Sequence, residues 1–322
     1  MKTEWKEALQ KQIHSLRTVE ADDDFSDLAF LKEVLRDVRV IGLGEGSHGT
    51  REHFQMKHRL VRFLVEQMGY RVFTIEAGTD ACLNMNDYVR FGKGDKHTAL
   101  ASQSYWTWDT EEVMSMIDWM REHNLSCARG EECSFLGVDM KPIDGACAKL
   151  LAQLVPLGGE DAARLAQTVN DCRDTRWNRD SDCHAPDTVW LLGWIVANEA
   201  PIVRATCRET YELLIYAARL LHQYIDCVKS GFANDRRDRY MAENTIELLN
   251  RLPAEAKVIV WAHNGHIANG FEWKNLGQWL REYYGTAYYA LGFTLGGGTF
   301  QSRLLDRVAG TVGSLQEFDV PE

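Results

Sequence analysis

The sequence has little that would divide or cross-link the chain. Only six prolines occur among its 322 residues, and no Gly/Ser-rich stretch marks a linker. Its eight cysteines are scattered and include no Cys-x-x-Cys pair, which argues against a disulfide framework. We therefore expect reduced thiols and a cytoplasmic protein.

Positive charge and long apolar runs are also scarce. Lys and Arg number 36 against 47 Asp and Glu, which gives a net charge of −11. This balance disfavours binding to nucleic acid or to an anionic membrane. The sequence has no run of about 18 apolar residues, the length that spans a bilayer, and we expect no signal peptide. The expected partner is a small molecule.

The rest of the composition is that of a globular protein, with 45% hydrophobic and 26% charged residues. Short apolar segments alternate with helical patterns. The predicted strands are Val38–Leu43, Val72–Ile75, Phe135–Val138, Val258–Trp261 and Ala287–Phe293. The predicted helices before the third strand are Thr3–Leu16, Asp27–Arg36, Arg51–Met68 and Thr110–Glu122. This alternation predicts an α/β fold, with a mostly parallel sheet and helices on both faces.

One long segment departs from the alternation. Residues 144–252 are almost wholly helical in pattern, and we predict a large helical insertion that caps the C-terminal ends of the strands. A larger helical layer is the alternative. The α/β core is then split between residues 1–143 and residues 253–322.

Ionisable residues follow each of the first four predicted strands. They are Glu45 and His48, Glu76, Asp139, and His263 and His266. The carboxyl ends of neighbouring parallel strands share one crevice, where such folds bind ligands. We therefore expect these side chains to converge although they are far apart in sequence.

The loop after the first strand matches a dinucleotide-binding pattern, with glycines at Gly44, Gly46 and Gly49. Two residues argue against that use. Glu45 would face a pyrophosphate with like charge, and His48 is a poor choice where only backbone should approach the ligand. A nucleotide cofactor is therefore disfavoured.

Acid–base chemistry is the favoured use of this loop. The ordinary pKa of His48 allows proton exchange near neutral pH, and Glu45 and Glu76 can fix its tautomer and stabilise its charged form. Ser47 does not lie in a Gly-x-Ser-x-Gly elbow, so a water activated by His48 is the simpler nucleophile.

A metal site is the alternative use of the strand ends. His263-x-x-His266, together with two glutamates, could ligate an ion, although this spacing is not that of a zincin helix. We expect no cofactor and no bound metal, and the metal hypothesis stays open at this point.

Other candidate residues have less specific signals. Trp106 and Trp108 could form an apolar wall of a binding cleft or pack in the core. Arg239 ends the charge run Arg-Arg-Asp-Arg at 236–239, which could form a solvated face or contact a carboxylate or hydroxyl at the strand ends. His53 and His58 are expected at the surface of the helix after the loop.

Several of these motifs, in this order, resemble those of the erythromycin esterase family. They are Gly-Glu-Gly-Ser-His-Gly-Thr-Arg-Glu-His-Phe at 44–54, Ile-Glu-Ala at 75–77, Trp-Thr-Trp-Asp-Thr-Glu-Glu-Val at 106–113, Gly-Val-Asp-Met at 137–140, Arg-Tyr-Met-Ala-Glu-Asn at 239–244 and Trp-Ala-His-Asn-Gly-His at 261–266. The family also includes relatives assigned to succinoglycan biosynthesis. The resemblance implies an α/β fold with a helical subdomain over the cleft.

The resemblance also implies site residues. The general-base histidine, two glutamates, two downstream histidines and a basic residue of the family fall here on His48, Glu45, Glu76, His263, His266 and Lys57. The antibiotic-resistance members hydrolyse the macrolactone ester of 14-membered macrolides. Such members continue beyond the position of Glu322 with further helix and a final strand, so we expect a shorter sheet or a part of a longer sequence.

These expectations describe an esterase-like hydrolase that opens a lactone or ester of a small natural product. His48 activates water, Glu45 and Glu76 hold its imidazole, and His263 polarises the carbonyl. The residues assigned to substrate binding are Lys57, His266, Asp139, Trp106 and Arg239. The alternatives are a metal-dependent hydrolase, an enzyme of the same family with another substrate, and a non-catalytic binder of small molecules.

Overall fold

The computed structural model describes residues 12–103, 105–175, 185–231, 233–306 and 311–321. Within them the strands are β1 (Val40–Leu43), β2 (Val72–Gly78), β3 (Ser134–Asp139), β4 (Val258–Trp261), β5 (Tyr288–Leu291), β6 (Gly298–Asp306) and β7 (Thr311–Val320). The α-helices are α1 (Leu31–Val34), α2 (Arg51–Met68), α3 (Leu83–Phe91), α4 (Lys96–Ala101), α5 (Glu111–Ser126), α6 (Asp144–Lys149), α7 (Ala162–Asp174), α8 (Ala185–Ala197), α9 (Glu199–Ala205), α10 (Arg208–Lys229), α11 (Asn234–Asn250), α12 (Asn264–Ile267) and α13 (Leu276–Tyr284).

The first five strands form one sheet in the order β3-β2-β4-β1-β5. Every pairing in this sheet is parallel, with Ile41 opposite Ile259 on one side and Tyr289 on the other. The predicted parallel sheet is therefore confirmed, and β4 has the predicted bounds. Because the strands are parallel, the carboxyl ends of β1, β2, β3 and β4 lie along the same edge.

Helices cover both faces of this sheet, as predicted. Successive side chains of a strand point to opposite faces. Ile41 and Phe73 therefore join the core formed with α2 to α5, whereas Val40 and Val72 join the core formed with α11 and α13. Both faces of the central strands are buried, which explains their nearly continuous apolar sequence.

The chain from 144 to 252 is mostly helical where the structure describes it, and its side chains form a third hydrophobic core. A π-helical turn at Leu150–Leu154 continues α6. The division of the chain into an α/β core and a helical cap stays a proposal. None of the described helices is both long and apolar enough to cross a membrane.

The predicted elements differ from the structure at both ends. Most of the helix predicted for Thr3–Leu16 lies outside the described residues, and residues 13–20 are not helical. The helix predicted for Asp27–Arg36 is reduced to a 3₁₀ turn, Ser26–Leu28, and to α1. Strands β6 and β7 form an antiparallel hairpin that was not predicted. Its Leu304, Val312 and Leu315 are exposed, so it lacks the buried alternation that reveals a strand.

Candidate active site

The loop after β1 is held tightly against two other segments. A Cβ atom on Gly44 would lie 2.0 Å from Oδ1 of Asn264, and one on Gly49 would lie 1.6 Å from the carbonyl oxygen of Gln301. The Gln301 N–H donates to the Gly49 carbonyl at 3.1 Å, which ties the hairpin to the loop. These glycines therefore serve close packing within the chain, which accounts for them without a dinucleotide.

Glu45 is fully buried at the centre of the first cluster of the site. Its Oε2 accepts hydrogen bonds from Lys57 Nζ and from Trp261 Nε1, each at 2.7 Å, and its Oε1 lies 2.5 Å from His48 Nδ1. Burial alone would raise the pKa of Glu45, but the charge of Lys57 and the bond to His48 lower it below its ordinary value. Glu45 is therefore an anion with three donors around it.

Lys57 lies behind Glu45 and has no exposed surface. Its ammonium is 4.0 Å from the centroid of the Trp261 ring, in cation–π geometry. Burial lowers the pKa of Lys57 to about 8, although the charge of Glu45 opposes this shift. This burial removes Lys57 from direct contact with a substrate, the role assigned to it from the sequence, and makes it a positioning residue for Glu45.

His48 connects this cluster to the surface, because 38% of its side chain is exposed. Burial lowers its pKa, but the hydrogen bond and the charge of Glu45 outweigh that effect and raise the pKa above its ordinary value. With Nδ1 turned to Glu45, Nε2 is the nitrogen that can take a proton from another molecule. The ring centroids of His263 and Trp108 lie 5.3 Å and 6.2 Å from that of His48.

His263 caps the short helix α12, and its Nδ1 accepts a hydrogen bond from the Gly265 N–H at 3.1 Å. Burial and then the charge of His48 lower its pKa. The neutral form is therefore favoured, with its proton on Nε2, which makes Nε2–H a donor.

A second cluster surrounds Glu76, which is buried at the end of β2. Glu76 accepts hydrogen bonds from Arg237 Nη2 at 2.9 Å and from the His263 backbone N–H at 3.1 Å. Arg237 also donates to Asp139 Oδ2, at 2.7 Å from Nη2 and 3.1 Å from Nε. One guanidinium therefore bridges the carboxylates that end β2 and β3.

His266 lies between two carboxylates. Its Nε2 is 3.2 Å from Glu76 Oε1, and its Nδ1 is hydrogen-bonded to Asp238, which also accepts from the Trp273 indole at 2.7 Å. Burial would lower the pKa of His266, but the charge of Glu76 and the bond to Asp238 raise it to about 10. His266 is therefore a fixed imidazolium near neutral pH, which suits it to charge balance and not to proton exchange.

The side chains at the strand ends are not arranged as a metal centre. Across the described ranges, no group of three or more His, Cys, Asp or Glu side chains is arranged to hold a metal ion. The Arg237 guanidinium stands between Glu76 and Asp139 and neutralises carboxylates that a cation would otherwise bind. The side chains therefore form an acid–base and ion-pair arrangement.

The structure brings together His48, Glu45, Glu76, His263, His266 and Asp139. Arg239 lies apart from them: its side chain is 40% exposed, pairs with Glu243 and rests on the Tyr240 ring. The charge run was expected to reach the strand ends, but the residues of the run that do so are Arg237 and Asp238 and not Arg239. Asp238 could have been predicted to point inward, because it lies three residues before the buried Met241 on the same face of the helix.

Two histidines of α2 were expected at the surface and are buried instead. The ring of His53 lies 5.5 Å from Phe293, and that of His58 lies 6.0 Å from Trp119. Burial lowers the pKa of both, that of His58 to about 4. The expectation was wrong because other elements pack around most of the circumference of α2. The single apolar stripe of its sequence predicts packing on one face only.

A cavity of about 410 Å³ opens beside His48. Its walls come from the start of α2, from the loop that carries Trp106 and Thr107, and from Phe300, Gln301 and Leu315 of the hairpin. The volume is that of a small-molecule site. Trp106, assigned to substrate binding from the sequence, lines this cavity, whereas Trp108 is buried in the core.

The chain is similar in sequence to proteins that are named as enzymes. The sequence model of the family described as Erythromycin esterase matches residues 65–322. This range contains Glu76, Asp139, His263 and His266, whereas Glu45, His48 and Lys57 precede it.

Two curated relatives are named as hydrolytic enzymes. The chain is 27% identical over 313 residues to an erythromycin esterase type II of Escherichia coli, covering 85% of this chain and 73% of the relative. It is 25% identical over 271 residues to a putative hydrolase, YbfO, of Bacillus subtilis strain 168, covering 75% of this chain and 59% of that protein.

The fold is also that of a solved erythromycin esterase mutant in its open conformation. The TM-score is 0.72 at 17% identity, over 94% of this chain and 81% of the other. At this identity the comparison bears on the fold alone.

Proposed function

The chain belongs to the erythromycin esterase family, and from this membership we propose that it is a hydrolase that opens the ester bond of a small lactone with water activated at His48. The substrate class that the relatives suggest is a macrolide-like lactone, because one of them is named an erythromycin esterase. An enzyme of this kind would contribute to antibiotic resistance.

One observation carries the proposal. His48 is partly exposed beside a cavity, and its Nδ1 is 2.5 Å from a buried, anionic Glu45. A carboxylate on Nδ1 holds the imidazole in the tautomer whose Nε2 accepts a proton, and it stabilises the imidazolium that results. This is the arrangement that a general base requires.

The proposed reaction begins with a water between His48 and the ester carbonyl carbon. His48 Nε2 takes one proton as the water oxygen bonds to the carbon, and the electrons of the C=O bond move to the carbonyl oxygen. The neutral His263 donates from Nε2–H to that oxygen. The intermediate then expels the alcohol oxygen, which takes the proton from His48, and the products are a carboxylic acid and an alcohol.

Direct attack by water also agrees with the position of the Ser47 hydroxyl, which adjoins His48 in sequence. Ser47 Oγ accepts a hydrogen bond from the Gly49 N–H at 3.1 Å. This hydrogen bond stabilises the turn of the loop. The neighbouring His48 is hydrogen-bonded to Glu45 and not to Ser47. An acyl-enzyme would need a side-chain nucleophile within hydrogen-bond reach of its base.

The experiment is incubation of the protein with a panel of 14-membered macrolides, simple lactones and 4-nitrophenyl esters. Mass spectrometry should show a product heavier than the lactone by one water. His48→Asn should lower turnover roughly 10²–10⁴-fold, which is the usual contribution of a general base, while the fold is retained.

Ser47→Ala is the matched variant in the same loop. It should keep substantial activity, and intact-protein mass spectrometry during turnover should show no adduct. A covalent adduct that forms on the wild type and is absent from Ser47→Ala would replace the direct-water mechanism with an acyl-enzyme. If the wild-type protein hydrolyses none of the esters in the panel, the proposed function is wrong.

A further inference from the structure

Two threonines that line the same cavity as His48 have buried hydroxyls without a hydrogen-bond partner. Thr50 is 2% exposed and Thr107 is 8% exposed, and neither Oγ1 has a partner within the described part of the chain. A buried hydroxyl without a partner is costly, so it calls for an explanation such as a ligand. Both residues line the cavity that His48 lines.

The position of Thr50 makes its free hydroxyl unusual. Thr50 is the N-cap of α2, with extended backbone angles of φ −98° and ψ 110°, but its side chain accepts no capping hydrogen bond. A threonine at this position normally satisfies an N–H of the first turn. The same chain uses its N-cap side chains in this way elsewhere: Asp95, Thr110 and Asn275 accept from Thr98, Val113 and Gln278.

The start of α2 is also suited to negative charge. The first N–H groups of an α-helix have no partner within the helix, and its N-terminus carries about half a positive charge. The 18-residue α2 begins at Arg51, three residues after His48. An uncapped helix start therefore lies next to the group that activates water.

We propose that the Thr50 hydroxyl, with the first-turn N–H groups of α2, binds the carbonyl oxygen of the substrate, and that the Thr107 hydroxyl is a second donor to the same oxygen. This inference rests on the proposed function, because it assigns the site at which negative charge develops. Water attack by way of His48 moves the C=O electrons to that oxygen. Both threonines donate a hydrogen bond to it and keep their protons, and they supplement the donor of His263.

The test compares three Thr→Val variants, because this substitution removes a hydroxyl and keeps the shape. Thr50→Val and Thr107→Val remove hydroxyls without partners. Thr74→Val is the control: Thr74 is buried in β2, and its hydroxyl donates to the Ile259 carbonyl at 3.0 Å. The probe is 4-nitrophenyl butyrate or the lactone of the panel that the wild type hydrolyses fastest.

Thr50→Val should lower kcat roughly 10²-fold, as the loss of one oxyanion donor does, with little change in KM and no loss in melting temperature. Thr107→Val should lower kcat in the same direction. Thr50→Ser, which restores a hydroxyl, should recover most of the lost rate. Thr74→Val should lose melting temperature and retain kcat.

The outcomes separate this inference from the proposed function. If the wild type hydrolyses an ester and both Thr50→Val and Thr107→Val keep more than half of its kcat, only the oxyanion site is wrong. If the wild type hydrolyses none of the esters, the proposed function fails and the oxyanion site falls with it. If Thr50→Val does not fold, the kcat values of Thr107→Val and Thr50→Ser test the oxyanion site in its place.

Discussion

Arg237 Nη2 donates to Glu76 Oε1 at 2.9 Å, although 161 residues separate them. Glu76 ends a strand in the first third of the chain, and Arg237 lies in the first turns of α11, after the long helical segment. The same guanidinium holds Asp139. The orientation of these two carboxylates therefore depends on an arginine that lies 98 residues after Asp139 and 161 residues after Glu76.

Removal of this guanidinium should strongly destabilise the fold. We predict that Arg237→Met lowers the free energy of unfolding by about 3–5 kcal/mol, because it leaves Glu76 and Asp139 buried without their cation. Urea unfolding followed by circular dichroism measures this change. Activity should fall as well, since Glu76 contacts the His263 backbone.

Arg239→Met is the matched control two residues away. Its side chain is 40% exposed and pairs with Glu243 one helical turn on, and such surface pairs contribute at most about 1 kcal/mol. If Arg237→Met and Arg239→Met lower the free energy of unfolding equally, the assignment of Arg237 to the site is wrong.

The sheet and the first cluster of the site could be predicted from the sequence for a physical reason. Buried parallel strands are apolar on both faces, so β1 and β4 stand out as uninterrupted runs, and polar residues directly after them must lie at one edge. The convergence of His48 and His263 follows from that geometry.

Arg237 and Asp238 were harder to predict, because a charge run resembles a solvated surface. Which side chains of the run point into the protein depends on the rotation of α11 about its own axis. Asp238 lies three residues before the buried Met241 and seven before the buried Thr245, which places a charge on the apolar stripe. Lys57 lies on the stripe of Phe54 and Val61 in α2 in the same way. A charge on such a stripe indicates a buried partner but does not identify it.

Glu45→Gln should disable His48 while the cluster keeps its shape. Lys57 and Trp261 both donate to one oxygen of Glu45, so the glutamine should place its oxygen there and turn its NH₂ toward His48 Nδ1. His48 would then carry its proton on Nε2 and could not accept one from water. By analogy with the corresponding change in the serine-protease triad, kcat should fall about 10⁴-fold.

Steady-state kinetics and a crystal structure of Glu45→Gln would check this prediction. Trp261→Phe provides a comparison, because it removes one donor to Glu45 and leaves the carboxylate on His48. A kcat of Glu45→Gln within tenfold of the wild type would show that His48 does not need the carboxylate.

Lys57 should adjust the pH at which the enzyme becomes active. Burial lowers the pKa of His48, Glu45 raises it more, and the charge of Lys57 opposes Glu45. Lys57→Met should therefore raise the pKa of His48 further. Because the base must be deprotonated, the acid limb of kcat/KM should move to higher pH.

The pH profile of kcat/KM measures this shift. Lys57→Arg keeps the positive charge, so its acid limb should stay near that of the wild type, provided that the larger group fits at a fully buried position. A Lys57→Met profile that moves to lower pH would show that Lys57 does not act through His48.

His266 should link the stability of the fold to alkaline pH. Burial lowers its pKa, but Glu76 and Asp238 raise it to about 10, above the ordinary value of 6.5. The folded state therefore binds a proton that the unfolded state has released between these two values. The stabilisation is fully present below pH 6.5 and is lost as the pH rises toward 10, with a slope of at most about 1.4 kcal/mol per pH unit.

His266→Asn should remove this slope. The free energy of unfolding of both proteins, measured from pH 6 to 10, should fall more steeply for the wild type, even though the variant is less stable at neutral pH. Lys57, whose pKa lies at about 8, titrates in the same pH range, but it is present in both proteins and its effect cancels in the difference between them.

Glu76 does not contribute to the alkaline slope. Its pKa lies well below the ordinary value, because the charges of His266 and Arg237 outweigh its burial, so its contribution to stability is lost only as the pH falls. Parallel curves above pH 6.5 would therefore show that His266 is not held as an imidazolium between Glu76 and Asp238.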